Sequence, residues 1–140
     1  MTSQTRPTSR PIVVFDLDGT LADTSADLIA AANACFRGLG HGDLLDPVTD
    51  ALTAFHGGRA MLRLGFQRLG QGDEAPVDAQ YPVLLAAYAA GIDTHTRLYP
   101  GVVPAIAALR NAGYAPPTCT HKPHALAQTL LTRLGSRRLL

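Results

Sequence analysis

The sequence predicts an α/β fold in which parallel strands are interrupted by a long, all-helical insert. Three observations carry this expectation. The run Ile12-Val13-Val14-Phe15 is β-branched and aromatic without polar alternation, as expected of a strand covered on both faces of a parallel sheet. A helical pattern follows it almost directly, and strand, loop and helix in that order open an α/β unit. After a central stretch with no strand signal, the strand-and-helix pattern resumes near Pro100. With 140 residues, 46% hydrophobic and 16% charged, the chain has enough apolar matter for one core and too much for intrinsic disorder.

Taken in order, residues 1–11 are polar and Pro-containing and read as a disordered tail. The first strand then breaks at an acidic turn, Asp16-Leu17-Asp18-Gly19-Thr20. A helix is predicted from about Asp23 to Leu39, with Leu28, Ile29, Ala32, Cys35, Phe36 and Leu39 at helical spacing, Asp23 or Thr24 as cap and Gly40 as stop. Asp46-Pro47 begins a short helix to about Phe55, and Gly58 to Leu69 forms another. A further helix is predicted from Asp78 to Ala90, where Pro82 is tolerable in the first turn. Pro100-Gly101 opens a helix to Asn111, ended by Gly113. Tyr114 to Cys119 is the second strand, although Pro116-Pro117 suits a strand poorly. Pro123 begins a last helix striped by Leu126, Leu130, Leu131 and Leu134. The expected organisation is a partial α/β core from 12–22 and 97–140, with 23–96 as the helical insert.

Charge and cysteine usage exclude several classes. Twelve Lys+Arg against eleven Asp+Glu give a net charge of +1, which provides no footprint for nucleic acid or an anionic membrane. Cys35 and Cys119 lie too far apart for a zinc motif, no leader is evident, and no apolar run approaches the roughly 18 residues of a membrane span. A reduced, cytoplasmic setting is the expectation.

The string FDLDGTLADT, residues 15–24, carries the chemistry. Carboxylates at i and i+2, where a buried strand breaks into a loop, project to one side at the carboxyl end of the sheet, where open α/β folds bind ligands. Gly19 permits a sharp turn, and the amides after Asp18 can face an anion. Such a pair suits phosphoryl transfer: one carboxylate attacks phosphorus, and a hard cation such as Mg²⁺ offsets the repulsion. The other protonates the leaving oxygen and later activates water.

FDLDGTLADT resembles the first signature of the haloacid dehalogenase superfamily of phosphohydrolases. That resemblance implies an incomplete Rossmann-like core with an inserted helical cap. It also implies Asp16 as nucleophile and Mg²⁺ ligand, and Asp18 as general acid/base that binds the metal through its backbone carbonyl. Gly19 and Thr20 fall in the phosphate-facing part of the signature. CTHKP at 119–123 resembles the second signature in its phosphoglycolate-phosphatase-like form, which implies that Thr120 hydrogen-bonds the phosphoryl group; His121 stands where such sequences commonly have Asn. Lys122 can lend positive charge to the same pocket. YPGV at 99–102 resembles the return to the core, and His56-Gly57-Gly58-Arg59 resembles the Gly-containing cap segment of this branch. There Arg59 can meet a substrate carboxylate.

The implied activity is Mg²⁺-dependent hydrolysis of a small phosphorylated metabolite, phosphoglycolate first among them, through an aspartyl-phosphate. No nucleic-acid or membrane partner is implied, and oligomeric state is open. The third signature, a Lys, and the fourth, an acidic pair, have no counterpart, and two further strands with their helices would need about 60 more residues. The expectation is therefore an N-terminal portion of a longer phosphatase, cut by a frame disruption or gene boundary near Gly135, and an inactive fragment is the alternative reading. A dehalogenase of the same fold does not require the second Asp, and Thr20 leans away from a phosphosugar mutase. A D-x-D glycosyltransferase has no room for its nucleotide-binding unit before position 16.

Overall fold

The structure, a computed structural model, describes residues 15–114 and 122–134. Most of strand 12–15 and of the second predicted strand therefore lies outside the described residues, as does the tail 1–11. The six helices described are α1 (Ser25–Gly38), α2 (Ala51–Phe55), α3 (Gly58–Arg68), α4 (Ala75–Ala90), α5 (Val102–Asn111) and α6 (His124–Arg133). Two short strands, β1 (Ala22–Asp23) and β2 (Arg97–Leu98), complete the order, β1 preceding α1 and β2 following α4.

Helix α1 forms because its apolar residues recur every three or four positions, and Leu28, Ile29, Ala32, Cys35 and Phe36 are all buried, whereas Leu39, at the C-cap where the chain turns away, is exposed. Its start differs in detail from the sequence reading. Thr24 occupies the cap position without capping, and the Asp23 carboxylate instead accepts from the Ser25 amide (3.3 Å) and hydroxyl (2.8 Å). Its end is a Schellman turn: Gly40, at φ +88°, donates to Arg37 O (2.9 Å) and His41 to Phe36 O (2.9 Å).

Helices α1, α3 and α4 pack against one another, with α2 laid across α1 and α3. The Phe36 and Phe66 rings meet edge to face, 5.5 Å between centroids, in a core shared with Ile29, Met61, Leu62 and Leu84. Truncating a ring in such a setting typically costs about 3–5 kcal/mol. The helices approach closely because Gly65 has no side chain; a Cβ there would sit 2.1 Å from Phe36 Cζ. Asn33 ties the following loop down, exchanging hydrogen bonds with both the amide and the carbonyl of Leu45. Asp46 receives the amides of Val48 (2.8 Å) and Thr49 (2.9 Å), but it closes a turn rather than capping the helix expected from Pro47: α2 begins only at Ala51, with Asp50 in the cap position.

Two sequence expectations are corrected. Pro82 is not in the first turn of its helix: α4 begins at Ala75 with Pro76 in that turn, which leaves Pro82 in the interior. Pro76 has the fixed φ that starts a helix, so the boundary moves upstream and Pro82 sits exposed on the solvent side. Tyr114 is not a strand residue either, because its amide closes the end of α5 on Leu109 O (3.0 Å).

The sheet among the described residues is an antiparallel ribbon the sequence reading did not contain. Ala22 pairs with Leu98 and Asp23 with Arg97, and Tyr99 N donates to Leu21 O (3.0 Å). Two-residue strands carry almost no pattern, so pairing here depends on what holds the segments together. That anchor is Asp27, buried in the first turn of α1. Its Oδ2 accepts from His95 N (2.9 Å), Thr96 N (2.9 Å) and Thr96 Oγ1 (2.8 Å). The chain leaving the 16–21 loop and the chain returning after α4 are thus fastened side by side. No helix among the described residues is long and apolar enough to cross a membrane.

Candidate active site

The site is built on the turn after Phe15. Leu17 is fully buried, and its carbonyl accepts from the amides of Thr20, Leu21 and Ala22 at 3.1–3.3 Å. Burying Leu17 turns its neighbours Asp16 and Asp18 to the opposite side, where both line one cavity of about 200 Å³. The opposite wall comes from the α2–α3 junction, residues 54–59, and from Tyr81, Leu84, Leu85 and Tyr88 of α4. Lys122, Pro123 and Leu126 close it at the start of α6.

The two carboxylates have different surroundings. Asp16 is exposed, and one oxygen accepts from the Leu17 amide (2.8 Å), which fixes the direction of the group without covering it. Asp18 is mostly covered: its Oδ1 accepts from Thr24 Oγ1 (2.7 Å) and lies 3.0 Å from Lys122 Nζ. Thr24 fails to cap α1 because its hydroxyl is committed here.

Lys122 is buried, its side chain 3% exposed, and Nζ also donates to Tyr88 Oη at 2.6 Å. Burial lowers its pKa, and the Asp18 carboxylate works against that shift. Burial likewise pushes the Tyr88 phenol up, with the negative charges of Asp18 and Asp27 acting in the same direction. Tyr88 therefore meets the ammonium as a neutral hydroxyl.

Arg59 lies at the far end of the cavity, paired with Asp78 and stacked 4.6 Å over the Tyr81 ring. The structure thus brings Asp16, Asp18, Lys122 and Arg59 to one cavity. Thr120 lies outside the described residues. Gly19 and Thr20 do not line the cavity, and the anion-facing role expected of their amides is not seen. Gly19 N donates to Ala22 O (2.9 Å) and Thr20 N to Leu17 O (3.3 Å), because the loop closes on itself as a tight turn. What Gly19 supplies is room: at φ +78° it faces the Phe55 ring, which a Cβ would meet at 2.9 Å.

Sequence reasoning missed Tyr81, Tyr88 and Asp78. The signal was present: Tyr81, Leu84, Leu85 and Tyr88 are spaced at i, i+3, i+4 and i+7, one face of α4, and only packing showed that this face meets the acidic loop.

The donors suit a hard cation. Among the described residues no three His, Cys, Asp or Glu side chains cluster as a metal cage. Mg²⁺ does not require one, since it is commonly held by one or two carboxylates with waters and substrate phosphate completing its shell. The exposed Asp16 carboxylate, beside the Asp18 peptide, matches that pattern.

Comparison with known proteins identifies the family. The family model for haloacid dehalogenase-like hydrolases matches residues 11–140. A phosphoglycolate phosphatase of Agrobacterium fabrum is 40% identical over 137 residues, covering 95% of this chain and 57% of its own length. One from Mesorhizobium japonicum is 38% identical over 133 residues, covering 93% and 57%. The chain thus spans little more than half the length of these relatives. Among solved structures, a predicted phosphatase from Clostridium acetobutylicum superposes with a TM-score of 0.74 at 20% identity, covering 95% of this chain and 59% of that one. CbbY from Rhodobacter sphaeroides, in complex with xylulose-(1,5)bisphosphate, superposes at 0.71 with 23% identity, covering 94% and 61%. These two likenesses establish the fold, and the family match, taken with the two close relatives, establishes that the chain belongs to the haloacid dehalogenase-like hydrolases.

Proposed function

We propose that this chain carries the nucleophile-bearing part of a phosphatase for small phosphomonoesters, with phosphoglycolate as the first substrate to test. The observation that carries the reading is the meeting of Asp16 and Asp18 in one cavity while their environments differ. The exposed carboxylate suits attack, and the covered one suits proton transfer. An Asp16 oxygen attacks phosphorus in line, the bond to the leaving oxygen breaks, and Asp18 delivers a proton to that oxygen. Asp18 then takes a proton from water, whose oxygen attacks the phosphorus of the aspartyl-phosphate; inorganic phosphate leaves and the Asp16 carboxylate is restored.

Mg²⁺, held by the Asp16 carboxylate and the Asp18 carbonyl, would supply charge neutralisation between the attacking carboxylate and the phosphoryl oxygens. Lys122 adds a buried positive charge on the phosphoryl side, and Thr120 is proposed as a further donor to that group. Arg59, steered by Asp78 and Tyr81, is proposed to meet the distal end of the substrate. A cavity of about 200 Å³ suits a substrate of metabolite size. Residues 23–96 are proposed as a cap over a core formed by 12–22 and 97–140, and the buried free thiol of Cys35 fits the cytoplasm.

The test is phosphate release from phosphoglycolate with Mg²⁺, by wild type and by Asp16→Asn. Turnover reduced at least about a thousandfold by the substitution is expected of a lost nucleophile. Equal turnover by both proteins would refute the assignment. The extent of the relatives favours a second reading, an inactive segment lacking the third and fourth signatures, and any Asp16-dependent turnover by the 140-residue chain overturns it.

A further inference from the structure

Lys122 was expected at most to lend charge to a phosphate pocket, but its surroundings point to a more specific role. The ammonium has three N–H donors, and its partners include groups from distant parts of the chain: Asp18 Oδ1 at 3.0 Å, and Tyr88, whose Oη lies at 2.6 Å and whose ring centroid lies at 4.1 Å. Tyr88 is 2% exposed and belongs to α4, whereas Asp18 belongs to the acidic turn. Tyr88 and Asp18 are linked through Lys122.

We infer that Tyr88 is a positioning residue for the reaction. Its hydroxyl fixes the Lys122 ammonium, and that ammonium fixes the carboxylate of Asp18. A long, flexible side chain ending in a spherical ammonium does not define its own direction, so Lys122 needs a second fixed partner to hold Asp18 in one orientation. The Tyr88 hydroxyl provides it, because the ring is locked in the helical core beside Leu84 and cannot follow the lysine. Thr24, on the same Oδ1, holds that oxygen from the α1 side. The seat of α4 is thereby transmitted to the group that moves the proton, without Tyr88 touching the substrate.

This inference rests on the phosphatase reading, and its test separates the two. In the full chain, Tyr88→Phe keeps the ring, its packing and its face 4.1 Å from the Lys122 ammonium, while removing the hydroxyl acceptor that gives that ammonium its direction. The Asp18 side-chain carboxyl ¹³C resonance, followed by NMR, is expected to shift in Tyr88→Phe although Tyr88 does not touch Asp18. It is expected to shift no further when Tyr88→Phe is added to Lys122→Met, since the link is already broken. In phosphate-release kinetics, Tyr88→Phe is expected to lower kcat about tenfold with KM unchanged, and to have no added effect on Lys122→Met. An Asp18 resonance unmoved by Tyr88→Phe, or effects that add independently in the double variant, would overturn the inference; a raised KM at constant kcat would do the same, because it marks a binding role. If no variant and no wild-type protein releases phosphate, the inactive-segment reading stands, and the carboxyl resonance still decides whether Tyr88 positions Asp18.

Discussion

Gly19→Ala tests the coupling between the acidic turn and α2. Two costs follow from the structure. At φ +78° an alanine takes up the left-handed conformation, worth about 1–2 kcal/mol. Its Cβ also meets the Phe55 ring at 2.9 Å, and overpacking of this kind adds about 1–2 kcal/mol, since Phe55 ends a five-residue helix that can yield partly. The expected loss is about 2–4 kcal/mol, or about 8–16 °C in Tm at about 4 °C per kcal/mol for a chain of this size. Thermal unfolding by circular dichroism measures it. The two terms separate in a cycle with Phe55→Ala, which removes the clash and leaves the backbone cost. A coupling of about 1–2 kcal/mol is expected, and losses that add within about 0.5 kcal/mol would refute the packing argument.

Pro82→Ala should stabilise the chain by about 1–3 kcal/mol, because it restores an amide donor in the middle of α4 and a good helix former at an exposed position; a lowered Tm would contradict the placement of Pro82 inside that helix. Asp50 is buried and receives both Arg68 Nη atoms (2.7 and 2.8 Å), and these hydrogen bonds hold its carboxyl below the ordinary range despite the opposing effect of burial. A depressed folded pKa means stability present above the unfolded value of about 3.9 and lost as pH falls through the folded one. Comparison of Tm for wild type and Asp50→Asn should show a difference of about 1 kcal/mol near pH 6, modest because Arg68 is half open to solvent, and the difference should shrink below about pH 4. A difference independent of pH would mean that the ion pair contributes nothing.

The candidate site was partly legible in the sequence. Asp16 and Asp18 could be placed together because one buried residue between two carboxylates dictates their common side, a local property of the backbone. Lys122 could be named but not interpreted, because an isolated lysine gives no sign of whether its ammonium meets water or a carboxylate far back in the chain. The glycine after Asp18 was legible as a turn residue. That it faces Phe55, and that its amide bonds Ala22 rather than a ligand, depends on how the loop closes.

The sequence by itself determined that these helices form and which stripes of them are apolar, since α1 and α3 follow three- and four-residue spacing that needs no partner to be read, whereas the starts of α2 and α4 were settled only by the fold. It also placed two carboxylates on one side of the acidic turn. Tertiary structure decided the rest: the pairing of Ala22–Asp23 with Arg97–Leu98, the bracket that Asp27 makes with His95 and Thr96, and the meeting of Tyr88 with Lys122. Each of these joins residues too short in pattern or too distant along the chain to leave a local signal. They form because packing the helices holds the segments in register and leaves buried polar groups that must find partners.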